Sequence, residues 1–253
     1  MKACLVVLLL MASPLWAADK ALTTTAKNAT ALLYSQDEHG GMKMHCTATA
    51  NARSRETDSS AWVYRFISAA HCIGPDDTQK ERVARASPIP FYITFDESDQ
   101  KMFYRATATA IGYQHRGDDF AVFSVTAAAD WPLIPIGDER KEEEGNEVLN
   151  IASPLGLGRQ VFHGHITKLE LDRPVIDGDI NWRGSVLIQV PGSAGGSSGS
   201  AIISVKQQAI VAFLVGTIGG TTMTAIPASR FTDFLQRVAE GRYRWARPAD
   251  DER

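Results

Sequence analysis

Apolar residues along this chain fall in short runs with little helical spacing. The runs are Met44–Ala50, Trp62–Ser68, Phe91–Phe95, Phe103–Tyr113, Phe120–Val125, Val148–Ala152, Gln160–Leu169, Ser185–Val190, Ala201–Val205, Ala209–Gly216 and Thr221–Ile226. They are rich in Val, Ile, Thr, Phe and Tyr, and Gly, Pro, Asp or Asn punctuate them, as expected of β-strands. Many short strands with turn punctuation predict an all-β sandwich or barrel. One stretch breaks the pattern. Phe231, Phe234, Leu235 and Val238 follow the i, i+3, i+4, i+7 spacing of a helix, which places one over 228–240. Pro227 sets its approach, Ser229 is its expected cap and Gly241 its stop. At the other end, Met1–Ala17 carries one lysine, a short apolar run and a small-residue finish. This predicts a secretory signal peptide over 1–17, cut after Ala17. The run is shorter than the roughly 20 residues of a membrane-spanning helix, so no membrane contact is expected after cleavage. Residues 18–38 begin small and polar and read as a loose arm, and 242–253 as a charged tail. Between them, 39–241 forms one folded unit with a soft boundary near 126–138. Asn51–Ser60, Gly74–Arg85 and Lys141–Gly145 read as surface loops.

Composition narrows the class. The chain has 253 residues, 44% of them apolar, enough for a large core. A net charge of −3 and the lack of a basic stripe argue against a nucleic-acid partner. Three cysteines are present, but Cys4 leaves with the signal. Cys46 and Cys72 then form an even pair, expected as one disulfide in an oxidising compartment. Neither belongs to a C-x-x-C pair, so no metal is expected on them.

The candidate chemistry centres on Gly195-Gly196-Ser197-Ser198-Gly199-Ser200, which can present a serine hydroxyl on a tight turn among bare backbone N–H groups. A serine needs a neighbouring base, usually a histidine oriented by a carboxylate. All six histidines (His39, His45, His71, His115, His163, His165) precede Ser198. This order excludes Ser197 as a nucleophile elbow, because in that architecture the histidine follows the serine. His71 is the best base. It follows a β-run and a small-residue turn in Ser68-Ala69-Ala70-His71-Cys72, beside a cysteine that can pin it. Asp119 is the best carboxylate, since it opens the apolar strand at Phe120. Asp118 is its competitor, expected to face solvent. His163-Gly164-His165 places two rings on one strand face, but no nearby cluster completes a metal site. His115 is expected in a surface loop, and His45 packed near the disulfide. Trp62, Trp131 and Trp182 are expected as packing anchors.

Ser-Ala-Ala-His-Cys, Asp-Phe-Ala-Val-Phe and Gly-Ser-Ser-Gly-Ser-Ala, in this order, resemble the three signature segments of the chymotrypsin-like serine peptidases. Ile136-Gly137-Asp138, Ile151–Gly158, Leu187–Gln189 and Ala225–Pro227 resemble the bacterial high-temperature-requirement branch. The likeness covers roughly 40–240. It implies two six-stranded antiparallel β-barrels, about 39–130 and 131–226, followed by the C-terminal helix, with no PDZ domain after it. His71 and Asp119 would come from the first barrel and Ser198 from the second, with the N–H groups of Gly196 and Ser198 as oxyanion hole. Gly192, Leu214, Val215, Gly216 and Thr217 would bind the substrate, an extended polypeptide that pairs as an added strand. The absence of Asp or Glu from Gln189 to Ser197 disfavours Lys or Arg at the cleavage site. Ser197 stands where many relatives carry an aspartate, and no Ile-Val-Gly-Gly segment occurs, so no zymogen switch of that kind is implied. Ser200 replaces a glycine and could perturb the turn. The implied protein is a secreted or periplasmic monomeric endopeptidase without cofactor or metal. The alternatives are a catalytically silent relative that binds peptides or surface partners, and an esterase on the same scaffold.

Overall fold

The computed structural model describes residues 14–37, 39–55, 60–73, 90–98, 101–113, 117–171, 176–177, 180–181, 184–191, 193–218 and 222–241. Two closed antiparallel barrels of six strands each make up the fold. The first contains β1 (Thr30–Gln36), β2 (Met42–Arg55), β3 (Trp62–Ser68), β4 (Phe91–Thr94), β5 (Tyr104–Ile111) and β6 (Ala121–Ala127), in the order β1-β2-β3-β6-β5-β4. The second contains β7 (Glu147–Ala152), β8 (Gln160–Lys168), β11 (Val186–Gln189), β12 (Ala201–Ser204), β13 (Ala209–Ile218) and β14 (Thr222–Pro227), in the order β11-β14-β13-β12-β7-β8. A small hairpin, β9 (Ile176–Asp177) with β10 (Ile180–Asn181), sits between β8 and β11 in the chain. Closure gives every strand of both barrels a neighbour on each side over at least part of its length. Each apolar run of the sequence became a strand.

The stretch expected as a loose arm is ordered. Helix α1 spans Pro14–Ala29, so the expected cleavage position falls in its first turn. Leu22, Ala26 and Ala29 are buried at i, i+4 and i+7. Three consecutive threonines and a face made mostly of alanine hide this helix from a reading based on large apolar residues. β1 follows at once and pairs with both β2 and β4, so the first barrel begins at Thr30 and not near 39. β2 likewise runs on past Ala50 to Arg55 through a bulge, taking in half of a segment expected to be loop. The signal segment up to residue 13, all of Gly74–Arg85, His115, Trp182 and the tail lie outside the described residues. Among those described, no helix is long and apolar enough to cross a membrane.

Helix α2 (Ala228–Ala239) forms where its spacing predicts, but its start differs. Ser229 does not cap it; Pro227 is the N-cap residue. The N–H and hydroxyl of Ser229 both donate to the Glu139 carboxylate, the N–H at 3.0 Å. A carboxylate from the second half of the chain thus fills the positive end of the helix. The apolar face of α2 enters a four-ring cluster. Phe231 lies 5.2 Å from both Phe120 and Phe213, and Phe234 lies 5.6 Å from Phe120. The rings come from both barrels and the helix, and Phe120 adjoins Asp119. Trp131 forms a second anchor, 4.7 Å from Tyr64 and 4.9 Å from Tyr104. Arg159, which precedes β8, ties the second barrel to the first. Its Nε donates to Glu97 at 2.9 Å and its Nη1 to the carbonyls of Lys27 and Thr30.

Phe231→Ala removes the ring shared by three elements and is expected to cost about 3–5 kcal/mol, read as a lower urea midpoint. Partial burial raises the Glu97 carboxyl, but the hydrogen bonds and charge of Arg159 outweigh it and hold the group below the usual carboxylate range. A carboxyl lowered on folding adds stability that is present above its unfolded value, about 4.3, and is lost as pH falls through the lower folded one. Wild type and Glu97→Gln should therefore differ in denaturation midpoint at neutral pH and converge in acid.

Candidate active site

β3 ends at Ser68, and the chain turns through buried Ala69 and Ala70 into a short 3₁₀ turn, Ala70–Cys72. The small residues let this turn lie against the barrel wall. The disulfide between Cys72 and Cys46 on β2 fixes it there, with Cα atoms 6.0 Å apart. His71 projects from the turn half-exposed. The carboxylate of Asp119 grips it twice: Oδ1 accepts the His71 backbone N–H at 2.8 Å, and Oδ2 meets ring Nδ1 at 2.6 Å. An ionised carboxylate only accepts, so this contact suits a ring with its proton on Nδ1, and in a neutral imidazole of that tautomer the lone pair lies on Nε2. Asp119 itself is 2% exposed.

Asp118 does not face solvent as its sequence position suggested. It is as buried as Asp119 and takes Arg230 Nε at 3.2 Å and Arg237 Nη2 at 3.1 Å, both from α2. The adjacent acids thus divide: Asp119 turns to the imidazole and Asp118 to the helix. The burial would be costly without the two guanidinium groups. A sequence signal existed for them, since positions 230 and 237 share one face of the helix.

The serine loop can be accounted for peptide by peptide. The Gly195 carbonyl accepts Leu155 N–H at 2.7 Å, and the Gly196 carbonyl accepts the Thr47 hydroxyl at 2.9 Å. The Ser197 carbonyl accepts Ser200 N–H, and the Ser198 carbonyl accepts Thr47 N–H at 3.0 Å. Ser197 N–H goes to Ala194 and Gly199 N–H to Leu214. Among the described residues, neither Gly196 N–H nor Ser198 N–H has an acceptor. Gly196 adopts φ +97°, which an L side chain rarely allows. At Gly199 a Cβ would lie 2.3 Å from Ser68 Oγ and 2.6 Å from Ala69 N. The loop bearing Ser198 is thereby seated directly on the segment that leads to His71.

Ser200 is fully buried and accepts from Asn150 Nδ2 at 2.8 Å, so its hydroxyl is absorbed into the second barrel. Ser197, also buried, bonds only within the loop, and its hydroxyl takes Ala194 N–H. Of the residues expected to bind substrate, Gly192 lies outside those described. Leu214 is buried with both main-chain groups used, its N–H to Ser200 and its carbonyl to Gly199, so it anchors the serine loop. Beyond it the strand bulges and keeps pairing with β14 through Gly216 and Thr217. The pairing of β13 with β12 stops at Phe213, leaving the other edge of 215–217 without a strand.

His45, His163 and His165 lie elsewhere. His45 Nε2 meets Ser35 Oγ at 2.6 Å, and burial followed by the charge of Lys43 lowers its pKa. His163 and His165 are exposed on β8, with Glu147 3.6 Å from His163 Nδ1. Among the described residues, the one gathering of three metal-type donors is Cys46, His71 and Cys72, and its two cysteines are joined to each other.

The family model described as the trypsin-like peptidase domain matches residues 56–212. No curated protein matches the chain significantly. The matched span covers more than half of the chain and holds His71, Asp119 and Ser198. Replacing Cys46 and Cys72 by serine frees a loop of 26 residues, and is expected to cost about 3–4 kcal/mol by chain entropy. A thermal melt of the double variant, set against the reduced wild type, checks the figure.

Proposed function

Because the chain belongs to the trypsin-like peptidase domain family, we propose that it is a serine endopeptidase working through His71, Asp119 and Ser198. The observation that carries this reading is the double grip of Asp119 on His71, which leaves Nε2 as the free base. The seating of the serine loop on Ser68 and Ala69 supports it from the other barrel. In this reading Nε2 removes the Ser198 hydroxyl proton as Oγ attacks the substrate carbonyl carbon. The carbonyl oxygen becomes an oxyanion and takes the N–H groups of Gly196 and Ser198, which have no acceptor among the described residues. Collapse of the tetrahedral species breaks the C–N bond, and the imidazolium gives its proton to the leaving amine. Water, activated by the same nitrogen, then cleaves the acyl-serine ester. Asp119 orients the ring throughout and stabilises the imidazolium.

The substrate would be an extended polypeptide lying along the unpaired edge of Val215, Gly216 and Thr217 as an added strand. With no acidic residue from Gln189 to Ser197, the primary pocket suits small or apolar side chains better than Lys or Arg. The segments around Gly137, Gly156 and Ile188 support a likeness to the high-temperature-requirement branch. The disulfide and the apolar N-terminal segment support secretion to an oxidising compartment, periplasmic or extracellular.

A fluorophosphonate probe should label the purified protein at Ser198, with labelling lost in Ser198→Ala and cut at least 10²-fold in Asp119→Asn. The same protein should hydrolyse casein. A folded wild type that takes no label would identify a catalytically silent binder, and ester turnover without amide turnover would identify an esterase.

A further inference from the structure

Thr47 lies on β2 of the first barrel and is fully buried. Nothing in its sequence context marks it for chemistry. Yet its hydroxyl sits between two main-chain groups of the second barrel. It donates to the Gly196 carbonyl at 2.9 Å and accepts Ser153 N–H at 3.1 Å. Its own carbonyl accepts Ser68 Oγ–H at 2.8 Å, and its N–H holds the Ser198 carbonyl.

The position of the hydroxyl bears on both peptides that flank Gly196. The peptide after Gly196 is held directly, through its carbonyl. The peptide before Gly196 carries the Gly196 N–H, and its carbonyl is held by Leu155 N–H. Leu155 belongs to the turn that opens at Ser153, the residue Thr47 fixes from the other side. Leu155 is itself left-handed, at φ +55°, a conformation that an untethered leucine avoids. A glycine between two peptides can rotate either of them at little steric cost, so Gly196 does not fix its own N–H direction. β-branching does fix the Thr47 side chain, because few χ1 values are open to it in a packed strand.

We propose that the Thr47 hydroxyl is the positioning group that aims the Gly196 N–H into the cleft, acting from the barrel opposite the one that carries the loop. This rests on the peptidase reading given above. Thr47 touches no reacting atom. It acts through Gly196 and through the Ser153 turn, and its effect belongs to the step in which negative charge develops on the substrate oxygen.

The test measures the fluorophosphonate reaction as two quantities, the binding constant of the probe and the first-order rate of phosphonylation. Thr47→Val keeps the shape of the side chain and removes the hydroxyl. Thr47→Ser keeps the hydroxyl and removes the methyl. Thr47→Val should lower the phosphonylation rate about 10²-fold, the scale of losing one oxyanion donor, with probe binding changed less than about threefold. Thr47→Ser should recover the rate to within about threefold of wild type despite its looser packing. A merely structural role predicts the opposite ranking, because the serine variant loses packing and the valine variant does not. Equal rates for wild type and Thr47→Val, or equal losses in Thr47→Val and Thr47→Ser, would overturn the proposal. If Thr47→Val does not fold, Thr47→Ala, which also lacks the hydroxyl, takes its place against Thr47→Ser. A wild type that takes no label overturns the peptidase reading and this one with it, whereas a labelled wild type matched by Thr47→Val overturns this one alone.

Discussion

A loop with glycine at 195, 196 and 199 has almost no conformational preference of its own, so its shape must be imposed from outside. The imposition comes across the seam between the barrels. Thr47 on one side, and Leu155 and Leu214 on the other, meet the main-chain groups of the loop one by one. Among the described residues, the N–H groups of Gly195, Gly196 and Ser198 are left without an acceptor. An amide without a partner is costly where water cannot reach it, so this pattern is stable only where these N–H groups stay open to solvent or to a bound ligand. The loop can therefore be built correctly only when both barrels are folded and in contact.

The same seam explains the arrangement of the acids. Asp119 and Asp118 are neighbours in sequence, both buried, and serve different masters. Asp119 spends both oxygens on one residue, fixing backbone and ring of His71 together, so the imidazole cannot swing without breaking two bonds. Asp118 anchors the turn to α2, and Phe120, the next residue, enters the ring cluster with Phe213, Phe231 and Phe234. Three consecutive residues thus join imidazole, helix and core.

How much of this could be read from the chain depends on the kind of signal. Strands with large β-branched or aromatic residues, such as Trp62–Ser68, declare themselves, and so does α2 through Phe231, Phe234 and Leu235. α1 does not, because Ala26 and Ala29 make up most of its buried face, and β1, though it buries Leu32, Leu33 and Tyr34, is covered on both sides and shows no apolar–polar alternation; the stability of both comes from the partners they meet. His71, Asp119 and Ser198 stand out by local context, each at the end or start of an apolar run. Thr47 sits in the middle of a strand, where a threonine looks ordinary. Its bonds reach Ser153 and Gly196, more than a hundred residues away, and no local pattern records them. Asp118 was misjudged for the same reason: the guanidinium groups that make its burial tolerable lie at Arg230 and Arg237.

The clamp from α2 onto Asp118 also sets an order of events. The helix is the final described element, and the turn bearing both acids is made more than a hundred residues earlier. A ribosome that has delivered only the first barrel has delivered a histidine and an acid whose setting is still unsecured. That setting is completed only with the helix, after the whole second barrel has emerged. A chain interrupted midway would carry Asp118 with neither Arg230 nor Arg237 to meet its charge.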